Sequence, residues 1–185
     1  MKESIKKLEQ KKLMQERRYV KTDLEIKESI ISENHSTFMQ KAYELADLEK
    51  PEFSQEPSKK ESIQFSWDSY SKETRDKAKK LYREISKRSH PDKDVNFLYT
   101  DIFAGAAEAY ENCNLFDLYD YCEQLNIHYD IDDSELSSIN QDITEKRDKV
   151  KAIENSFAYL WSIHESDKMR DIILRQFVKA VDGKL

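Results

Sequence analysis

His90 and Asp92 flank Pro91, and side chains of these two types could exchange protons or supply two ligands to a metal ion. Either role needs more, a nucleophile or further ligands close by. The other histidines, His35, His128 and His164, sit in unrelated segments. The two cysteines, Cys113 and Cys122, form no Cys-x-x-Cys or Cys/His pattern. They read as buried thiols in a reducing compartment. The sequence therefore predicts no catalytic residue, no metal site and no cofactor. Taken alone, the tripeptide has an ordinary explanation: Pro91 stops a helix, Asp92 caps a loop and His90 lies at the surface.

The elements around the tripeptide say more. A basic amphipathic run, Lys77 to Ser89, precedes it, and an Ala-rich run, Phe103 to Glu111, follows. Ala78, Leu81, Tyr82 and Ile85 fall on one side of a helix of 3.6 residues per turn. Lys79, Arg83 and Lys87 form an i, i+4 row. Pro91 disfavours helical geometry at the residue before it and has no N–H, so the first helix must end there. Asp68, Ser69 or Ser71 is placed to cap its start. Further helices are predicted over about 99–112 and 115–125.

Basic helix, His90-Pro91-Asp92-Lys93 loop and Ala-rich helix ending in Ala109-Tyr110-Glu111 resemble the middle of a J domain. The J domain is the co-chaperone module that stimulates a DnaK-type (heat-shock seventy) ATPase. The resemblance covers roughly residues 72–125. It implies that the loop, His90, Pro91 and Asp92, engages the ATPase together with a basic face made of Lys79, Tyr82, Arg83, Lys87 and Arg88. It also implies a hairpin core of Leu81 and Ile85 against Phe103, Ala106, Ala109, Tyr110 and Cys113. Pro91 would stiffen the loop, and Asp92 could make a charge-assisted bond to an arginine on the partner. Some family features are missing. Ile63 to Tyr70 lacks the Tyr-x-x-Leu-Gly pattern of a first J-domain helix, with Trp67 left to fill part of that space. Glu84 stands where a basic residue is common, and Ser89 replaces a usual aromatic. No Gly/Phe-rich linker, zinc-binding repeat or client-binding β-domain follows.

Composition bounds the architecture. Among 185 residues there are 2 Gly and 3 Pro, too few turn formers for an all-β fold. Charged residues make up 37% and apolar residues 38%, a balance that suits exposed helices and coiled coils. Residues 2 to about 48 contain no Gly or Pro and carry an irregular apolar stripe: Ile5, Leu8, Leu13, Val20, Leu24, Ile31, Phe38 and Leu45. Residues 49–62, with Pro51 and Pro57, read as a linker. Further on, Leu136, Ile139, Ile143, Lys146, Val150, Ile153, Phe157, Leu160 and His164 keep a three-four spacing throughout. That is a heptad seam over 134–164. A last helix is expected over about 167–181, capped by Ser166 or Asp167, with Gly183 just past its end. The predicted fold is all-α, a J-domain-like hairpin over 63–130 held between two long helices that pair as an antiparallel coiled-coil stalk. The segments are thus 1–48, 49–62, 63–130, 134–164 and 165–185. A homodimer formed through the same long helices is the alternative.

Net charge is −6, unevenly spread. Lys72 to Lys93 holds nine Lys/Arg against four Asp/Glu, and Asp94 to Glu135 holds eleven Asp/Glu and no Lys or Arg. No signal peptide opens the chain and no apolar run approaches membrane-spanning length, so a soluble cytoplasmic protein without a membrane contact is expected. Nucleic acid is disfavoured as a partner. The lysine-rich start, Lys2 to Lys21, belongs to no nucleic-acid motif, and the overall charge opposes it. The favoured function is a co-chaperone, not an enzyme, that recruits a DnaK-type ATPase to a client protein of unspecified kind. The competing one is a coiled-coil assembly adaptor that keeps the J-like hairpin only as a fold.

Overall fold

The computed structural model describes residues 2–46, 66–92 and 99–182. Among these every regular element is helical: α1 (Lys2–Leu45), a single 3-10 turn (Trp67–Ser69), α2 (Lys72–Ser89), α3 (Thr100–Glu111), α4 (Leu115–Gln124), α5 (Asp133–Glu154), α6 (Phe157–Ile163) and α7 (Asp167–Asp182). The protein is all-α, as its scarcity of turn formers requires. The expected linker 49–62 and Gly183 lie outside the described residues. No helix among the described residues is long and apolar enough to cross a membrane.

The chain divides into two units. The first comprises Met1–Met14 and Pro57–Ile139. Its core is apolar where α2, α3 and α4 meet: Ala78, Leu81, Ile85, Ala106, Ala109, Cys113, Leu115, Leu118 and Cys122 are all buried. Of the hairpin positions expected to be interior, Leu81, Ile85, Ala106, Ala109 and Cys113 are among them, while Phe103 and Tyr110 are half-buried. α3 approaches α4 closely because residue 105 is Gly. A Cβ there would sit 2.1 Å from the Tyr121 hydroxyl oxygen. Both α3 and α4 end through a residue in left-handed geometry, Cys113 (φ 55°) and Asn126 (φ 53°). The following amides then reach back to Ala109 O (2.8 Å) and Cys122 O (2.8 Å), the hydrogen-bonding of a Schellman end.

The second unit comprises Gln15–Glu56 and Asn140–Leu185. Its core is aromatic. Phe38 and Ala42 of α1 are buried with Trp161 of α6 and Ile173 and Leu174 of α7. The Phe38 ring lies 5.8 Å from Trp161, edge-on, and 5.0 Å from Phe177. The Arg170 guanidinium sits 4.9 Å over the Trp161 ring, and its Nε donates to the Trp161 carbonyl at 3.3 Å.

Two expectations about the long helices change. The helix predicted over 134–164 is interrupted: α5 ends at Glu154 and α6 begins at Phe157. The cause is local. The Asn155 side chain donates to Lys151 O at 2.8 Å, and Ser156, in extended geometry (ψ 141°), caps α6 by accepting from Tyr159 N at 3.2 Å. Nor do α1 and α5 run antiparallel. Within the second unit Arg17 pairs with Asp142 (2.8 Å), Glu16 with Arg147 (2.6 Å) and Lys27 with Glu154 (3.4 Å). From Glu16 and Arg17, whose partners are Arg147 and Asp142, to Lys27, whose partner is Glu154, the partner numbers rise, so the two helices run the same way. The first unit supplies the reason. There Lys6 pairs with Asp133 (3.0 Å) and Gln10 donates to Ile131 O (3.0 Å), so α5 starts beside the first turns of α1.

Candidate functional site

The His-Pro-Asp loop stands at the end of α2, and the helix is built to stop there. Ser71 caps its start, its hydroxyl accepting from Thr74 N at 3.1 Å. The buried line Ala78, Leu81, Ile85 and Ser89 faces α3 and α4. Ser89 is tolerated in that line because its hydroxyl donates to Ile85 O at 2.9 Å, so no polar group is stranded. His90 then turns extended (φ −62°, ψ 131°), the geometry that a following proline favours.

At the tip, the His90 ring packs edge-on against Phe103 of α3 at 5.5 Å. Its Nδ1 accepts the Asp92 backbone N–H at 3.2 Å. In the neutral ring the proton therefore resides on Nε2, the outer nitrogen. The Asp92 carboxylate is 88% exposed, 3.6 Å from Nδ1 at its nearer oxygen. The arrangement holds the backbone of the loop and leaves one carboxylate presented to solvent. Lys93 lies outside the described residues.

Behind the tip, Lys79, Arg83 and Lys87 form an exposed row on α2, flanked by Lys80. None of these four makes an ion pair among the described residues. Arg88 is exposed too, but its Nη1 donates to Leu125 O at 3.0 Å, which ties the last turn of α2 to the end of α4. Tyr82, grouped with the cations on sequence grounds, is half-buried and stacks on Tyr110 of α3 at 4.7 Å. It faces the hairpin because it shares the side of Ala78 and Ile85. Glu84 is half-buried as well. Where a first helix would precede α2 in a J domain, the described residues make the 3-10 turn Trp67–Ser69. The Trp67 ring lies tilted against Tyr110 at 5.5 Å and donates from Nε1 to the Tyr110 carbonyl at 2.8 Å.

One cluster escaped the sequence reading. Glu135 accepts both Lys77 Nζ contacts (2.8 and 2.7 Å), the Tyr119 hydroxyl (3.0 Å) and the Asp132 backbone N–H (2.9 Å). Lys77 Nζ also lies 5.1 Å over the Tyr119 ring. Asp132 in turn accepts Glu135 N (2.9 Å) and the Ser134 hydroxyl (2.7 Å). Asp132-x-x-Glu135 is thus a capping box for α5, a spacing the sequence did display. Those bonds, the Glu135 amide first, hold the Asp132 carboxyl below its ordinary range. Burial, then the neighbouring Glu135 carboxylate, raises the Tyr119 hydroxyl. Burial also pushes the Cys122 thiol up to about 12 and raises that of Cys113. Both sulfurs therefore stay protonated and poorly nucleophilic at neutral pH.

No three His, Cys, Asp or Glu side chains among the described residues come together as a metal would need. Comparison of the chain with protein-family models, curated proteins and solved structures returns no match.

Proposed function

We propose that this protein is a J-domain co-chaperone that docks on a DnaK-type ATPase in the cytoplasm and stimulates it, with no enzymatic activity of its own. One observation carries the reading. A His-Pro-Asp loop sits at the tip of a two-helix hairpin, its carboxylate in solvent, at the end of a row of exposed cations that have no ion-pair partner among the described residues. Charges used inside a fold are paired, and charges kept unpaired in a row suit a partner of opposite sign.

The reading divides the labour among these residues. Lys79, Arg83 and Lys87 steer encounter with an acidic surface, an effect that weakens as salt screens it. Each exposed cation contributes about 0.2–1 kcal/mol. Pro91 and the His90–Asp92 backbone bond restrict the loop before docking, so less order is lost on contact. Asp92 then makes a charge-assisted bond to a cation of the partner, an arginine on the reading given above. Tyr82, Tyr110 and Trp67 support the hairpin from behind and do not touch the partner. The second unit would hold the client.

The test is titration calorimetry of the full chain against a purified DnaK-type ATPase, with wild type and Asp92→Asn, at two salt concentrations. Wild-type binding that weakens with salt and is lost in Asp92→Asn is expected. Equal affinity for both proteins would make the hairpin a structural part of a coiled-coil adaptor.

A further inference from the structure

The apolar stripe of α1 is irregular because it is two stripes. Val20, Leu24, Phe38 and Ala42 are buried within the chain. Ile5 (51% exposed), Leu8 (66%), Tyr19 (72%) and Ile26 (55%) are the four most exposed large apolar side chains among the described residues. All four fall on one three-four seam, positions 5, 8, 12, 15, 19, 22 and 26. At about 100° per residue this seam lies roughly 120–130° around α1 from the buried line. A helix with a second apolar seam on its outer side is a helix with a second partner.

We infer that this outer face of α1, through Ile5, Leu8, Tyr19 and Ile26, binds the same face of a second copy of the chain as a parallel two-stranded coiled coil. The charges beside the seam select both the occupant and its direction. One flank carries Glu9, Glu16 and Asp23; the other carries Lys11 and Arg18, followed by Glu25. In a parallel pair in register, Lys11 meets the partner subunit's Glu16 and Arg18 meets the partner subunit's Asp23, twice over by symmetry. An antiparallel pair would set the acidic flank against itself. Two of these carboxylates already lie beside cations of their own chain, Glu16 at Arg147 (2.6 Å) and Asp23 at Lys27, so the intermolecular contacts extend existing networks. Lys12 and Gln15 within the seam are polar residues of the kind that fix register.

The test uses the full chain in sedimentation equilibrium over a micromolar series. A monomer–dimer equilibrium is expected. The double substitution Leu8→Glu with Tyr19→Glu should raise its Kd by about tenfold or more, since each side chain would leave an apolar interface. Helical content should not change, because both positions are exposed in the single chain. Thr22→Cys should cross-link to itself on mild oxidation, which a parallel in-register pair allows. Cys113 and Cys122 are buried and do not compete. A chain that stays monomeric and uncross-linked would overturn the inference and assign the seam to a different protein. So would a dimer insensitive to the double substitution, or one that cross-links Leu8→Cys to Thr22→Cys in place of Thr22→Cys to itself.

Discussion

Lys77 and Lys79 are two residues apart on α2 and belong to the same basic run, yet they serve different ends. Lys77 turns toward α4 and α5, held by Glu135 and lying over the Tyr119 ring. Lys79 points to solvent with Arg83 and Lys87. The Glu135 cluster shows what a charge looks like when the fold needs it: paired, partly buried and satisfied on every side. The outer row shows charges that the fold does not use. On the proposed function the contrast separates stability from docking on one helix, and it can be broken residue by residue.

The largest effect is expected in the second unit, where the same kind of pairing goes deepest. Arg17 is 1% exposed and pairs with Asp142 at 2.8 Å. Asp142→Ala removes a carboxylate that pairs with this buried guanidinium and with Lys146, and should cost about 3–5 kcal/mol, read as a loss of urea midpoint. Glu135→Ala comes next, about 2–4 kcal/mol, because it strands Lys77, the Tyr119 hydroxyl and the Asp132 amide together. Should Glu135→Ala cost no more than Lys79→Ala, the distinction between the two lysines is wrong.

A smaller effect sharpens the comparison by pH. Asp132 has a folded-state pKa below its ordinary value. It therefore adds stability that is fully present above the unfolded value, about 3.9, and is lost as pH falls through the lower folded value. Urea titrations in acid should show Asp132→Asn with a shallower loss of stability than wild type below about pH 4. Asp132→Ala should cost about 1 kcal/mol at neutral pH through the lost cap. The smallest effect is Lys79→Ala, within about 0.5 kcal/mol of wild type in stability, as for an exposed residue without a partner.

Much of this arrangement was legible from residue spacing. The absence of Gly and Pro from residues 2–48 and the three-four periodicities made an all-helical chain readable, and Ala78, Leu81 and Ile85 are buried as their spacing requires. The break at Asn155-Ser156 was harder to see, because Ile153 and Phe157 keep the seam in step across it. Only the capping chemistry of the Asn-Ser pair marks it. The direction of α5 was not readable from apolar faces, which fit a parallel or an antiparallel partner equally. It follows from where the chain re-enters beside α1. Which cation of a basic run is buried was equally hidden: Lys77 and Arg17 look like their neighbours until Glu135 and Asp142 are brought to them from far along the chain. At the loop, the sequence placed His90, Pro91 and Asp92 together by adjacency alone. That Tyr82 shares the apolar side of α2 was legible in its spacing; that it stacks on Tyr110 was not.

The central claim is that this hairpin presents a working His-Pro-Asp loop, and single-turnover ATP hydrolysis by a DnaK-type chaperone tests it most directly. Added wild-type chain should accelerate hydrolysis. Asp92→Asn should abolish the acceleration, and Arg83→Ala should reduce it in a way that rising salt also does. Equal rates with all three proteins, or no rate above that of the chaperone alone across several DnaK-type partners, would contradict the account.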